Sequence, residues 1–258
     1  MKFSIVVPSY NHAAFLEDAL KSLIHEKEEG VDLEIILMDG GSTDGTAAII
    51  EKYRPHLAYA VSQKDGGQTD ALIKGFKKAT GDVMGWLNSD DKLYTGALHA
   101  VSAFLNSRPD VDVVYGDMNW IELTGELQKH QHEIPFSLPI LLWDYNYLPQ
   151  PSTFWRRSAW EKVEGLNPER NCAMDCDLWF QFIKAGCKFY HLPRVLSAMR
   201  RYPEQKNQRL REVSDAEDRA IREEFLGRRI SPVERRLKKY FWKAVRILQR
   251  YSLGAYKS

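Results

Sequence analysis

Apolar residues open the chain in unbroken runs. Residues 3–8 form a β-branched apolar stretch closed by Pro8 and Ser9, with no polar alternation, which predicts a strand buried on both faces. Phe15, Leu16, Ala19, Leu20, Leu23 and Ile24 then recur at helical spacing. A second run, residues 33–38, stops at Asp39-Gly40-Gly41-Ser42 and completes a predicted βαβ unit. The pattern continues through predicted helices at 46–53, 69–79 and 95–106 and predicted strands at 57–61, 82–87 and 111–115. Such alternation implies an α/β fold around an open, mostly parallel sheet, with ligands bound beyond the C-terminal ends of the strands.

After Gly116 the rhythm changes. Residues 117–123 and 126–132 flank Thr124-Gly125 like a hairpin, and a Pro- and aromatic-rich segment spans 135–155. Leu178, Phe182 and Ile183 restore helical spacing, two short strands are expected at 188–192 and 195–199, and a charged helix at 215–226. Ser231-Pro232-Val233-Glu234 is a helix-start signal, with Ser as cap, Pro at the first position and Glu placed to close a capping box. Leu237, Tyr240, Phe241, Ala244, Val245, Leu248 and Tyr251 would share one face of that helix. Arg235, Arg236, Lys238, Lys239, Lys243, Arg246 and Arg250 would take most of the rest. The organisation expected is a first half over 1–116, a second half of the same domain over 117–227, and a C-terminal basic amphipathic helix within 228–258.

The 258 residues are 44% apolar and 28% charged, which excludes a disordered chain or a fibrous repeat. The net charge of +1 hides an asymmetry: residues 228–258 hold ten Lys/Arg against Glu234 alone, so the remainder is net acidic. A cationic tail seeks an anionic partner, either a bilayer reached through residues 231–251 or the acidic body or a second subunit. No helix-turn-helix or aromatic-interleaved basic motif speaks for nucleic acid. Cys172, Cys176 and Cys187 match neither a CxxC pair nor a zinc spacing and read as free thiols. With no run long enough to span a bilayer, the expected location is the cytoplasm, with peripheral attachment to the inner face of the cell membrane through the tail.

Four acidic or Gly-rich stops follow predicted strands: Asp39-Gly40-Gly41, Asp65-Gly66-Gly67, Asn88-Ser89-Asp90-Asp91 and Gly116-Asp117. Acids collected on one sheet edge repel one another unless a cation sits there, and hard oxygen ligands favour Mg²⁺ or Mn²⁺. The absence of GxGxxG after the first strand and of GxxxxGK[ST] anywhere argues against dinucleotide oxidoreductases and P-loop NTPases, and for a metal-held diphosphate.

SIVVPSYN, EIILMDGGSTDGT, DGGQTDALIKGF, ATGDVMGWLNSDD, QPSTFWRR and AMDCDLWFQF, in this order, resemble glycosyltransferase family 2 over residues 3–200. The resemblance implies a GT-A fold, a nucleoside-diphosphate-sugar donor, Mn²⁺ or Mg²⁺, and inversion at the anomeric carbon, with 1–116 as the nucleotide-sugar-binding half and 117–227 as the acceptor-binding and catalytic half. It places the family's metal- and diphosphate-gripping motif on Asn88-Ser89-Asp90-Asp91, with Asn88 offering only an amide and Asp91, then Asp90, as the metal carboxylates. It sets Pro8, Ser9 and Tyr10 beside the base, Asp39 near base or ribose, and Asp65 and Asp90 in the nucleotide site. Family members commonly carry a second Asp where Gly40 stands, so the base is in question, with UDP as first choice. Asp175 falls on the catalytic base, at a helix start whose positive end would keep it ionised, with Asp177 as competitor. Arg156, Arg157, Arg200, Arg201 and Lys206 are the candidate diphosphate cations. Trp143, Tyr145, Tyr147 and Trp155 are the candidate acceptor platforms. His191 reads as a core histidine.

No QxxRW motif accompanies these pieces, which favours transfer of a single sugar to a saccharide or lipid-linked acceptor over polymerisation. Two other classes remain open. A sugar nucleotidyltransferase would want a Gly/Arg/Lys-rich loop where Pro8-Ser9-Tyr10-Asn11 stands, and a catalytically inactive nucleotide-sugar-binding module is kept in play by Asn88 and Gly40.

Overall fold

A computed structural model describes residues 1–254, leaving residues 255–258 of the predicted tail outside the description. In chain order the elements are β1 (Phe3–Ser9), α1 (Ala13–Glu28), β2 (Leu33–Asp39), α2 (Thr46–Tyr53), β3 (Tyr59–Ser62), α3 (Gln68–Phe76), β4 (Val83–Trp86), β5 (Lys92–Leu93) and α4 (Ala97–Ser107). They continue with β6 (Val113–Ile121), β7 (Leu127–Gln131), α5 (Leu138–Trp143), β8 (Thr153–Arg156), α6 (Arg157–Trp160), α7 (Met174–Lys184), β9 (Phe189–Arg200), α8 (Lys206–Arg209), α9 (Arg211–Leu226) and α10 (Pro232–Ser252).

One sheet runs β3-β2-β1-β4-β8-β6-β9-β5, with β7 paired to β6. The first four strands are parallel neighbours, as the unbroken apolar runs require. Antiparallel β8 then separates β4 from β6, and β6 pairs in parallel with β9. The hairpin expected around Thr124-Gly125 is β6–β7. The two short strands expected at 188–199 are instead the single β9, irregular where Gly116 and Asp117 of β6 pass Leu192 and Val195.

The strands bury both faces. Ile5 and Val7 of β1 pack with Leu16, Leu20 and Leu23 of α1, while Val6 joins Leu72 and Phe76 of α3 on the other side. The second layer is aromatic: Trp86, Trp155 and Trp179 lie with centroids 5.7–6.1 Å apart, and Phe76 sits 5.7 Å from Trp155. Glu26, buried in α1, accepts backbone N–H bonds from Gly96 and Leu98 at 2.5 and 2.8 Å and so caps α4 from a neighbouring helix.

Ser231 caps α10 by accepting from the Glu234 amide at 3.2 Å. The predicted capping box is only half made, because the Glu234 carboxylate goes to Arg228 and Lys238 at 2.6 and 2.8 Å. Among the described residues no helix is long and apolar enough to cross a membrane.

Candidate active site

The C-terminal ends of β1, β2 and β4 carry three loops tied directly to one another. Asn11, the non-glycine residue at positive φ (52°), accepts from the Thr43 amide at 2.9 Å and donates its own amide to Ser42 Oγ at 2.7 Å. The Ala13 amide donates to Asp44 at 2.9 Å, and His12 Nδ1 lies 2.8 Å from Ser89 Oγ. Pro8 and Ser9 are buried, Tyr10 stands exposed at the rim, and the buried Ser9 hydroxyl has no partner among the described residues.

Asp39 does not face open space. Its buried carboxylate accepts from the amides of Gly41 and Ser42 and from the hydroxyls of Ser42 and Ser62, at 2.5–3.2 Å. The residue expected beside base or ribose therefore shapes the loop that would bind them. A β-carbon on Gly40 would lie 3.1 Å from Asp65 Oδ1 and 3.3 Å from the Tyr10 ring, so Gly40 is what lets Asp65 and Tyr10 approach.

After β4, Asn88 is a hub: its Oδ1 accepts from Gln68 at 2.8 Å, and its Nδ2 donates to Gln150 at 3.0 Å and Asp91 at 3.2 Å. Asp91 is buried and also accepts the Arg200 amide at 3.1 Å. Burial first, and the neighbouring Asp90 charge second, push its carboxyl well above the usual range. The Asp90 carboxylate accepts from the Tyr202 hydroxyl at 2.8 Å. Lys206 Nζ donates to Gln68 Oε1 at 3.1 Å and to the Asn171 carbonyl, which joins the Asn88 hub to the loop ahead of α7. Tyr202, Gln68 and Gln150 complete a network that residue-type reasoning passed over. Gln68 and Gln150 sit inside the quoted motifs DGGQTD and QPSTFWRR, which was the available signal.

Asp175 begins α7, partly exposed, and accepts from Asn146 Nδ2 at 2.9 Å. The helix start does not hold its carboxyl in the usual carboxylate range, although it stays mostly ionised at neutral pH. Burial raises its carboxyl to about 6, against lowering by its own and the Cys176 amide and by Asn146. The free amides before α7 are already taken by another carboxylate: Glu217 of α9 accepts from Asn171, Cys172 and Ala173 at 2.8–2.9 Å. Asp177 accepts from Gln181 at 2.6 Å and lies 3.6 Å from Arg170, so its carboxylate already has partners within the chain.

Several expected contacts fall elsewhere. Arg156 and Arg157 sit at the opposite, N-terminal end of β4, where Arg156 bonds the carbonyls of Leu105 and Val111 and Arg157 bonds that of Gly81. Arg200 is buried and spent on Asp18, the Asp90 carbonyl and the Leu123 carbonyl, at 2.7–3.1 Å, while exposed Arg201 lies over the Trp120 ring. Trp155 is fully buried, and Trp143 and Tyr147 are buried with it, so none of the three offers a sugar a face. His191 is indeed a core histidine, 2.7 Å from Asp117 and stacked on Tyr115. The best-formed cavities, about 180 and 150 Å³, lie beside Phe76 and Trp160 and beside Met1 and Phe3, away from all these carboxylates.

Residues 4–162 match the Glycosyl transferase family 2 domain. The chain belongs to glycosyltransferase family 2.

Among its family 2 relatives, a PGL/p-HBAD biosynthesis glycosyltransferase of Mycobacterium bovis is 38% identical over 120 residues, 45% of this chain and 46% of that one. The poly(ribitol-phosphate) β-N-acetylglucosaminyltransferase TarS of Staphylococcus aureus is 30% identical over 172 residues, 66% of this chain and 30% of TarS. The chain thus spans less than half the length of these relatives. TarS residues 1–349 with UDP-GlcNAc superpose at TM-score 0.65 and 21% identity, covering 88% of this chain and 72% of that one. The mannosyltransferase PcManGT of Pyrobaculum calidifontis, solved with GDP-Man and Mn²⁺, superposes at 0.65 and 17% identity, covering 93% and 69%. The fold is GT-A, and in this family 2 member it brings the loops after β1, β2 and β4 to one end of the sheet.

Proposed function

We propose that the chain is an inverting glycosyltransferase that moves one sugar from a nucleoside-diphosphate-sugar, UDP-sugar by preference, to an acceptor hydroxyl in surface polysaccharide or glycolipid assembly. The observation that carries this reading is the Asn146–Asp175 pair. A single displacement needs a base that removes the hydroxyl proton as the oxygen attacks, and a carboxyl held near 6 is ionised at neutral pH yet basic enough to accept that proton. Asn146 orients the carboxylate that would receive the acceptor proton, and its own buried Oδ1 has no partner among the described residues.

On the donor side, Pro8, Ser9 and Tyr10 form the base and ribose wall, with Asp65 supplying the acid beside Gly40. Lys206 is the cation offered to the diphosphate, held where it joins Gln68 to the loop before α7. Asp90 and Asp91 fit a divalent cation. Two adjacent carboxylates, one with its ionisation opposed by burial and by its neighbour, would be relieved by Mn²⁺ or Mg²⁺. Among the described residues no cluster of three metal-ligating side chains forms, so diphosphate oxygens and water would complete the shell. The ion, when bound, would neutralise charge growing on the departing diphosphate.

The test is Asp175→Asn in the whole chain. Donor binding, read as a rise in melting temperature with UDP-sugar and Mn²⁺, should persist while transfer falls by about 10³-fold or more, in the range that removal of a general base produces. Undiminished transfer in that variant would remove the assignment. Donor-independent melting across UDP-, dTDP- and GDP-sugars would instead remove the donor class.

A further inference from the structure

The helix α10 is amphipathic, and its two sides are used in an unexpected way. Basic residues, not the apolar stripe, hold it to the rest of the chain. Arg246 meets Asp144 at 2.6 Å, Arg250 meets buried Glu133 at 2.7 Å, and Lys238 stands 3.9 Å over the Trp143 ring. Trp242 and Val245 are the apolar side chains turned inward beside them.

The opposite side is exposed. Val233, Leu237, Phe241, Leu248 and Tyr251 are each 60–69% exposed, against the fully buried apolar residues of α1. At 100° per residue they fall within roughly a quarter of the helix circumference, about five turns long. Arg236 and Lys243, both exposed, line one border of that stripe, with exposed Lys239 further round on the same side. The lone acid of the helix, Glu234, is occupied by Arg228 and Lys238, so the stripe has cations beside it and no free carboxylate.

We propose that this face is a docking surface for an anionic lipid bilayer, with α10 lying in the plane of the interface. Hydrocarbon would take the Leu and Phe side chains, Tyr251 would sit at the boundary with its polar end outward, and lipid phosphates would face Arg236, Lys239 and Lys243. A second copy of the chain fits less well. Pairing two such faces would bury apolar surface but bring both cation rows together with no acid between them. A membrane supplies the apolar phase and the counter-charge at once.

The inference stands apart from the transferase reading, because its test needs neither donor nor acceptor. The full chain is sedimented with vesicles of phosphatidylcholine and with vesicles carrying roughly a third phosphatidylglycerol. Binding should be at least about tenfold stronger on the anionic vesicles and fall as salt rises. Leu237→Asp with Leu248→Asp, and separately Arg236→Glu with Lys239→Glu and Lys243→Glu, should each lose it, while Lys129→Glu on the exposed strand β7 should not. All substituted side chains are exposed, so the melting temperature should hold in every variant. Equal binding to neutral and anionic vesicles, or unchanged binding in both multiple variants, would overturn the proposal. So would a concentration-dependent dimer abolished by Leu237→Asp.

Discussion

Asn146 and Asp175 belong to different parts of the chain, one in the loop after α5 and one in the first turn of α7, and meet in a 2.9 Å hydrogen bond from amide to carboxylate. Burial holds the Asp175 carboxyl at about 6, and the Asn146 bond is one of the contacts that keep it from rising further. Transfer should therefore follow a pH limb that rises through about 6 and flattens near neutrality. In Asn146→Ala the limb should move to higher pH. A limb that stays put in that variant would show that Asn146 does not tune the base.

The same shift bears on stability. A carboxyl whose pKa is higher in the folded chain than in the unfolded one binds protons preferentially when folded. Its ionisation therefore costs stability as pH rises from the unfolded value, about 3.9, through the folded one. Asp175→Asn should melt above the wild type at pH 8, with the gain shrinking toward pH 4. A constant difference across that span would contradict the burial of this charge.

Glu217 satisfies three amides in the loop that leads into α7. Glu217→Ala leaves them without acceptors and should cost about 2 kcal/mol, within the range for a lost cap and unsatisfied buried donors. Because that loop sets the register of Asp175 and carries the Asn171 carbonyl bonded by Lys206, transfer should fall more than melting alone explains. Urea unfolding and initial rates at saturating donor, measured side by side, check both parts.

Gly40 holds Asp65 and Tyr10 close to its own backbone. Gly40→Asp would place a second carboxylate against Asp65 and crowd the Tyr10 ring. Donor affinity should drop about tenfold or more, with Gly40→Ala intermediate, as titration calorimetry with UDP would show. Tighter binding in Gly40→Asp would mean that the site lacks an acid rather than excludes one.

Trp155 is part of the aromatic layer and not a sugar platform. Trp155→Ala should destabilise the chain by about 3–5 kcal/mol, the cost of emptying a large aromatic site. At temperatures where the variant remains folded, the acceptor KM should be unchanged; a selective rise in KM would return Trp155 to the binding surface.

The order of elements, the buried parallel strands and the acidic stops at strand ends could all be read from the chain alone, because each depends on residues near one another in sequence. Apolar runs such as 33–38, interrupted only by Glu34, are buried between two layers, and Ser231-Pro232 starts a helix by local bonds. Tertiary structure decided which polar groups are spent and which are left. Asp39 and Arg200 carry the charge a ligand site wants, yet Asp39 is consumed by its own loop and by Ser62, 23 residues away, and Arg200 by Asp18, 182 residues away. Arg157 lies in a motif of the family but at the wrong end of β4, which only the antiparallel insertion of β8 determines. Helical periodicity showed that α10 has two sides, but not which one would face inward. That was settled by Glu133 and Asp144, buried carboxylates far away in sequence that need the charges of Arg250 and Arg246 and so turn the apolar stripe toward the outside.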